Sequence, residues 1–277
     1  LVARRGECLG CPHDVIDSRD LKLCANACGY WFPARTDPFA WRDGVPMARA
    51  GWAEVVLFGG GAGVTAALAL LVWPWAAWLP ALVGVFVVAF FRDPPRRIPV
   101  EPGVVVSPAD GRVTDVTALD WIDNFQGPGV RVGIYLSLFN VHVNRCPAAG
   151  TALWVRYVPG RFLDSRRPEA AEVNESIETL FEHDDCPGRL CLVRQVAGAF
   201  ASRVVTTVRP GQRLPTGHKI GMIKFGSRTE LYLSDPRAVV RVRPGDVVRG
   251  GVSVLAHHPA PGPEPEDGCG PNCPSSP

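Results

Sequence analysis

From Trp52 to Phe91 the chain carries a single charged residue, Glu54, and no lysine or arginine. A surface helix of a soluble protein is seldom apolar on every side, so this stretch belongs inside a core or a bilayer. Pro74 divides it into "WAEVVLFGGGAGVTAALALLVW" and "WAAWLPALVGVFVVAFF". A spanning helix needs about 20 apolar residues, within a range of about 17–25. The first half fits that range comfortably and the second by a narrow margin. Trp52, Trp73, Trp75 and Trp78 stand where interfacial aromatic belts are expected. Gly59 and Gly63 form a small-xxx-small pair that predicts close helix contact. Arg42 and Arg49 precede the hairpin, and Arg92, Arg96 and Arg97 follow it. Two crossings return the chain to one side, and the positive-inside tendency makes that side cytoplasmic. The competing expectations are a buried helical pair in a soluble protein and a re-entrant hairpin. In either membrane case, everything after Arg92 works at a membrane surface.

The remaining composition narrows the class. The net charge of +2 carries no nucleic-acid signature. The 27 prolines and 29 glycines predict many turns between short strands. Nine cysteines, an odd number, argue against a secreted disulfide framework. Cys8, Cys11, Cys24 and Cys28 read C-x2-C…C-x3-C, a loosely zinc-like spacing. The only methionines are Met47 and Met222, and Met47 opens "MARAGWAEVV". Translation is therefore expected to begin at Met47, with residues 1–46 a disordered extension or a misassigned start. The tail, residues 257–277, is rich in proline, glycine and acids and is expected to be disordered, with Cys269 and Cys273 idle.

Between hairpin and tail the expected fold is mainly β (α+β), a compact barrel- or sandwich-like domain over residues 93–256 behind a helical hairpin at 47–92. "GVVVSPADGRVTDV" reads strand, turn, strand, with Asp110-Gly111 as the turn. "VRVGIYLSLFNVHVNRCP" is a long β-branched and aromatic run, and "AFASRVVTTV" and "RAVVRVRPG" are further strands. Only the segment ending "PEAAEVNESIETLFEH", residues 168–183, predicts a helix, with His183 solvated at its end. "VRPGQRLPTGHKIGMI" echoes "VRPGDVVRGGVSVL". Similar Pro-Gly turns occur in lipoyl- and biotinyl-carrier modules, but no lysine stands at the matching tip. A membrane-anchored β module without catalysis is the alternative reading.

"IKFGSRTELYL" places Gly226-Ser227 inside an alternating strand-like run. Glycine there marks a bulge or a close backbone approach. A serine hydroxyl in a strained turn can also attack the preceding carbonyl. The resulting ester can eliminate its upstream chain as a carboxylate, and the dehydroalanine left behind loses ammonia to give a pyruvoyl group. Taken with "SPADG", "NVHVNR", "NES" and "FFRDPPRRIP" in this order, "FGS" resembles the phosphatidylserine decarboxylase family in its short, membrane-anchored form. The resemblance runs from about Met47 to Ala256. The better-known family motif is Leu-Gly-Ser-Thr; Phe-Gly-Ser-Arg stands here.

The resemblance implies self-cleavage between Gly226 and Ser227, into α and β chains that stay associated. It implies a covalent pyruvoyl group from Ser227, no metal, and decarboxylation of a membrane phospholipid, phosphatidylserine, through a Schiff base, yielding phosphatidylethanolamine. A different phospho-L-serine lipid is the alternative substrate. His142 falls where the family strand carries an essential histidine, here expected to donate the proton. Asp110 matches the acid associated with maturation. Long-form relatives carry a second histidine where Arg145 stands; the planar fork of Arg145 suits a phosphate or carboxylate. Asn144 and Glu175 are further candidates for substrate contact.

Overall fold

The computed structural model describes residues 2–4, 40–164, 169–185, 188–199, 203–224 and 227–258. Cys8, Cys11, Cys24, Cys28, Gly226 and nearly all of the tail lie outside the described residues.

The apolar stretch is a helical hairpin. Helix α1, Arg49–Val72, is the one helix long and apolar enough to cross a membrane among the described residues; α2, Pro74–Phe90, is a shorter apolar helix. Trp73 leaves helical geometry (φ −148°, ψ 88°), and Pro74 restarts the helix at its first position, where the missing N–H costs nothing. The predicted Gly59–Gly63 pair does not make the helix contact. A Cβ on Gly84 would lie 3.5 Å from the Ala62 Cβ and 3.6 Å from the Gly59 carbonyl, whereas one on Gly63 meets nothing within 4 Å. Helix α2 supplies the second small residue of the seam, a partner that spacing within α1 does not reveal.

Among the described residues there are fifteen strands: β1 (Val2–Arg4), β2 (Val104–Val106), β3 (Gly111–Ile122), β4 (Gly127–Leu136), β5 (Val143–Arg145), β6 (Gly150–Val158), β7 (Ser176–His183), β8 (Leu190–Ala197), β9 (Arg203–Thr206), β10 (Arg213–Leu214), β11 (Lys219–Lys224), β12 (Ser227–Leu233), β13 (Val239–Val240), β14 (Val247–Val248) and β15 (Val254–His257). The large curled sheet runs β1-β6-β7-β8-β12-β4-β3-β14, with β10 also on β6. Two three-stranded sheets, β5-β11-β9 and β13-β15-β2, share one core with it, through Ile220 and Ile223 of the first and Val105 and Leu255 of the second. Strand β15 carries the fold to His258, whose N–H donates to the Gly103 carbonyl at 2.8 Å.

The helix expected over residues 168–183 is confined to α3 (Ala170–Val173). Ser176–His183 is β7, hydrogen-bonded on both sides by β6 and β8 and buried along nearly its whole length. A strand covered on both faces loses the alternation that separates strand from helix in sequence. His183 is consequently buried, its ring 4.9 Å from that of His258, and not solvated as expected.

The weak echo is a structural duplication. Residues 104–113 (VVVSPADGRV) and 143–152 (VNRCPAAGTA) form matching strand-turn-strand units. Each pairs with its own Val-Arg-Pro-Gly segment in the same way. Gly251 N–H donates to Ser107 O and Gly217 N–H to Cys146 O; Gly245 N–H donates to Val113 O and Gly211 N–H to Ala152 O. Gly217 and Gly251 adopt φ of 74° and 75°, the left-handed region that favours glycine. The copies also cross-link, Val106 N–H to Pro147 O and Arg145 N–H to Pro108 O, both at 2.8 Å.

The helix seam predicts a contrast. Gly84→Leu should wedge α1 from α2 and cost about 1–3 kcal/mol of overpacking. Gly63→Leu should be neutral. Thermal unfolding in detergent micelles, comparing the two variants, measures this.

Candidate active site

Strand β12 lies at the centre of the large sheet, and Ser227 is its first residue. It pairs with Leu136, the last residue of β4, and with Ala197, the last residue of β8. Three strand ends therefore converge on it. Ser227 is fully buried, and its Oγ has no hydrogen-bond partner among the described residues. An unsatisfied buried hydroxyl is costly, which sets this serine apart from structural ones.

Side chains two apart on a strand share a face. Thr229 thus faces the same way as Ser227, and Gln195 of β8 lies directly across from Thr229. Asn144 of β5 spans down to both: its Nδ2 donates to Thr229 Oγ1 and its Oδ1 accepts from Gln195 Nε2, each at 2.9 Å. Its Nδ2 also lies 3.4 Å from the Pro108 carbonyl. Gln195 Oε1 stays buried without a partner. Gly221 of β11 is needed here, since a Cβ on it would come within 3.1 Å of the Gln195 amide and 2.2 Å of Val205 O. Asn144, placed by sequence, joins this network; Gln195 and Thr229 were missed. Their one signal is a polar side chain at an interior position of an apolar strand.

His142 sits at the end of the loop between β4 and β5. Asn140 shapes the loop by accepting from Ser137 N–H and Oγ–H at 2.9 and 2.7 Å. The Asn140 carbonyl lies 2.9 Å from His142 Nδ1, which assigns that nitrogen the proton and leaves Nε2 bare. Nε2 is buried and has no partner among the described residues. The His142 carbonyl accepts from Ile223 N–H at 3.2 Å, which places His142 beside the strand that leads into Ser227. Phe90, the last residue of α2, packs on the imidazole with ring centroids 4.4 Å apart. Burial, aided by the Arg92 charge and opposed by the Asn140 carbonyl, pushes the His142 pKa down to about 4. His142 is therefore neutral at pH 7, with Nε2 open to accept a proton.

Asp110 stands apart from Ser227. Its Oδ2 accepts from Arg96 Nη2 at 2.9 Å and its Oδ1 from Gly250 N–H at 2.7 Å. Arg145 is buried at the foot of the hairpin, donating from Nη2 to Asp93 Oδ1 at 2.5 Å and from Nη1 to Gly217 O at 3.1 Å. Lys219 Nζ lies 2.6 Å from the other Asp93 oxygen. These groups, with Arg49 and Met222, line a cavity of about 540 Å³ that Ser227 and His142 do not reach. Glu175 is buried and accepts from Tyr157 Oη at 2.9 Å, while its neighbour Asn174 donates to the Ala197 carbonyl at 2.7 Å, one strand from Ser227. Among the described residues no cluster of three or more His, Cys, Asp or Glu side chains is placed to hold a metal.

Comparison with known proteins decides the family. Residues 83–256 match the family described as phosphatidylserine decarboxylase. The chain is 40% identical over 240 residues to the phosphatidylserine decarboxylase proenzyme of Rhodopirellula baltica, covering 86% of this chain and 99% of that protein. It is 44% identical over 214 residues to the proenzyme of Symbiobacterium thermophilum, covering 77% and 96%.

The chain belongs to the phosphatidylserine decarboxylase family. Its relatives are named as proenzymes.

The buried histidines predict an acid-side loss of stability. An unfolded histidine binds its proton near pH 6.5, but His142 and His183 bind theirs only near 4 when folded. Between those values the unfolded chain holds more protons, so stability is complete above about pH 6.5 and falls as pH drops toward 4. Each contributes roughly 3 kcal/mol over that window. His142→Gln in a Ser227→Ala background should flatten the slope of unfolding free energy against pH by about one proton.

Proposed function

We propose that this chain is a self-processing, pyruvoyl-dependent phosphatidylserine decarboxylase anchored in a membrane by its hairpin. The observation that carries the reading is the fully buried, partnerless Ser227 hydroxyl at the head of a central strand, in a member of this family. In the first stage Ser227 Oγ attacks the Gly226 carbonyl, and the neutral Nε2 of His142 takes the hydroxyl proton. The acyl group moves from nitrogen to oxygen as His142 passes that proton to the departing nitrogen. Loss of the Ser227 α-proton then breaks the new ester, and the upstream chain leaves as a carboxylate. Water replaces the imine nitrogen of the resulting dehydroalanine tautomer, releasing ammonia.

The pyruvoyl ketone supplies the electron-withdrawing carbonyl to which the substrate amine adds and through which the carboxylate carbon is lost as CO2. The protein's own groups do the rest. Asn144, Thr229 and Gln195 form a polar floor beneath the residue-227 carbonyl, with the open Gln195 Oε1 able to accept from the substrate amine. His142 then donates a proton to the substrate α-carbon after CO2 leaves and takes a new one from water before each further turnover. Arg145 and Lys219 outnumber Asp93 beside the hairpin foot, which suits receipt of the lipid phosphate there. Asp110 holds the connector after the hairpin through Arg96, and so acts on maturation by positioning.

The lipid substrate and the apolar hairpin agree: a diacyl lipid stays in its bilayer, so the enzyme must meet it at the interface. The arginines flanking the hairpin favour the cytoplasmic face for the β domain by the positive-inside tendency. The two products of cleavage stay together because β12 is hydrogen-bonded on both sides, by β4 and β8 of the upstream chain.

On a denaturing gel the wild type should give a large fragment and one of about 5 kDa beginning at residue 227. Ser227→Ala should stay a single chain. A wild type that stays whole while folded would favour the membrane-anchored β module without catalysis. His142→Asn should slow self-cleavage by roughly 10²- to 10⁴-fold, the usual contribution of a positioned acid-base group, seen as persistence of the full-length chain on the same gels.

A further inference from the structure

Glu54 is the only charge in the apolar stretch, and a carboxylate in such a helix is rarely without a partner. Its partner is Lys224: Glu54 Oε1 and Lys224 Nζ form an ion pair across 170 residues of sequence. Lys224 is the last residue of β11, three positions before Ser227, and is 6% exposed. On the helix side, Val55–Gly59 form a π-helical turn directly after Glu54, a local widening that is common at functional positions. The hairpin foot is seated around this pair. Phe90 and Phe91 pack with Val141, Val143 and Met222, and Arg92 donates to the Phe139 carbonyl at 2.6 Å. The His142 loop and β11, the strand that leads toward Ser227, thus both rest on the hairpin.

We propose that the Glu54–Lys224 pair is a positioning latch: the bond before Ser227 breaks only when the hairpin is docked, so anchoring precedes maturation. The proposal rests on the self-cleavage reading above. A lysine held in this dry position needs its counter-charge. With Glu54 absent or undocked, Lys224 turns toward water and draws the end of β11 with it, three residues before Ser227. With Glu54 in place, β11 stays in register with β5 and β9. The latch acts in the other direction too, fixing the depth of α1 against the β domain.

The test is the rate of self-cleavage of the full chain, synthesised cell-free with phosphatidylcholine vesicles and followed on denaturing gels. Glu54→Gln strands the buried lysine and should slow cleavage roughly tenfold or more. Lys224→Met leaves a carboxylate that can still face interfacial water, and should slow it less. The double variant strands no charge and should recover to within about threefold of wild type. Unfolding temperatures of the same substitutions in a Ser227→Ala background separate positioning from gross misfolding. Slow cleavage by Glu54→Gln with a near-normal unfolding temperature supports the latch. Cleavage of Glu54→Gln at the wild-type rate overturns it and leaves the decarboxylase reading intact. Failure of the double variant to recover also overturns it, since the loss then does not come from an unpaired charge. A wild type that never cleaves overturns both readings.

Discussion

Two reciprocal backbone hydrogen bonds, Val106 N–H to Pro147 O and Arg145 N–H to Pro108 O, hold the architecture together. Each copy of the repeated unit ends a strand that can donate onward, and each presents a proline carbonyl. Proline lacks an N–H, so its carbonyl is free to accept from outside its own turn. The exchange seats β2 and β5 side by side under the curled sheet and brings Gly217 and Gly251 into contact, a Cβ on Gly251 meeting the Gly217 Cα at 3.6 Å. It also aims Asn144, one residue before Arg145, across the core at Thr229 and Gln195. The floor of the site is thus a consequence of how two loops exchange hydrogen bonds.

What the sequence made legible was local. The hairpin could be read because lipid-facing helices must be apolar all round. The Asp110-Gly111 turn and the long β4 run could be read because turn chemistry and β-branched residues act within a few positions. Ser227 could be read because it belongs to a set of motifs in a fixed order. The failures share a different cause. Strand β7 hid because burial on both faces erases alternation, leaving Glu-rich stretches that imitate a helix. His183 was judged by its acidic neighbours, whereas its position between strands decides its burial. The Glu54–Lys224 pair and the Asn144 network hid because they join residues 170, 85 and 51 positions apart, and no spacing rule reaches that far.

The reading of His142 shows how packing changes chemistry without changing a residue. A histidine in an apolar strand is as a rule structural, and the family likeness made it a proton donor. Phe90 and the surrounding core then remove water from it, and the Asn140 carbonyl fixes its tautomer. At pH 7 the group is neutral, with Nε2 open to accept a proton. Because the Phe90 that dries it belongs to the anchoring hairpin, the hairpin is part of the site's electrostatics as well as its tether.

The duplication also explains where chemistry could arise. The copies agree in turns, bulges and hydrogen bonds, which are scaffold. They differ at Asp110 against Ala149, Asn144 against Val105, and Arg145 against Val106. They differ again at the end of β11, whose last residue, Lys224, lies three positions before the head of β12, whereas β15 stops at His257. The candidate site residues therefore sit where one copy departs from the other, on a scaffold that both copies share. The proposed cleavage falls at the head of a strand for the same reason. It leaves β12 paired with β4 and β8 along its whole length. Residue 227 then remains where three strand ends already hold it.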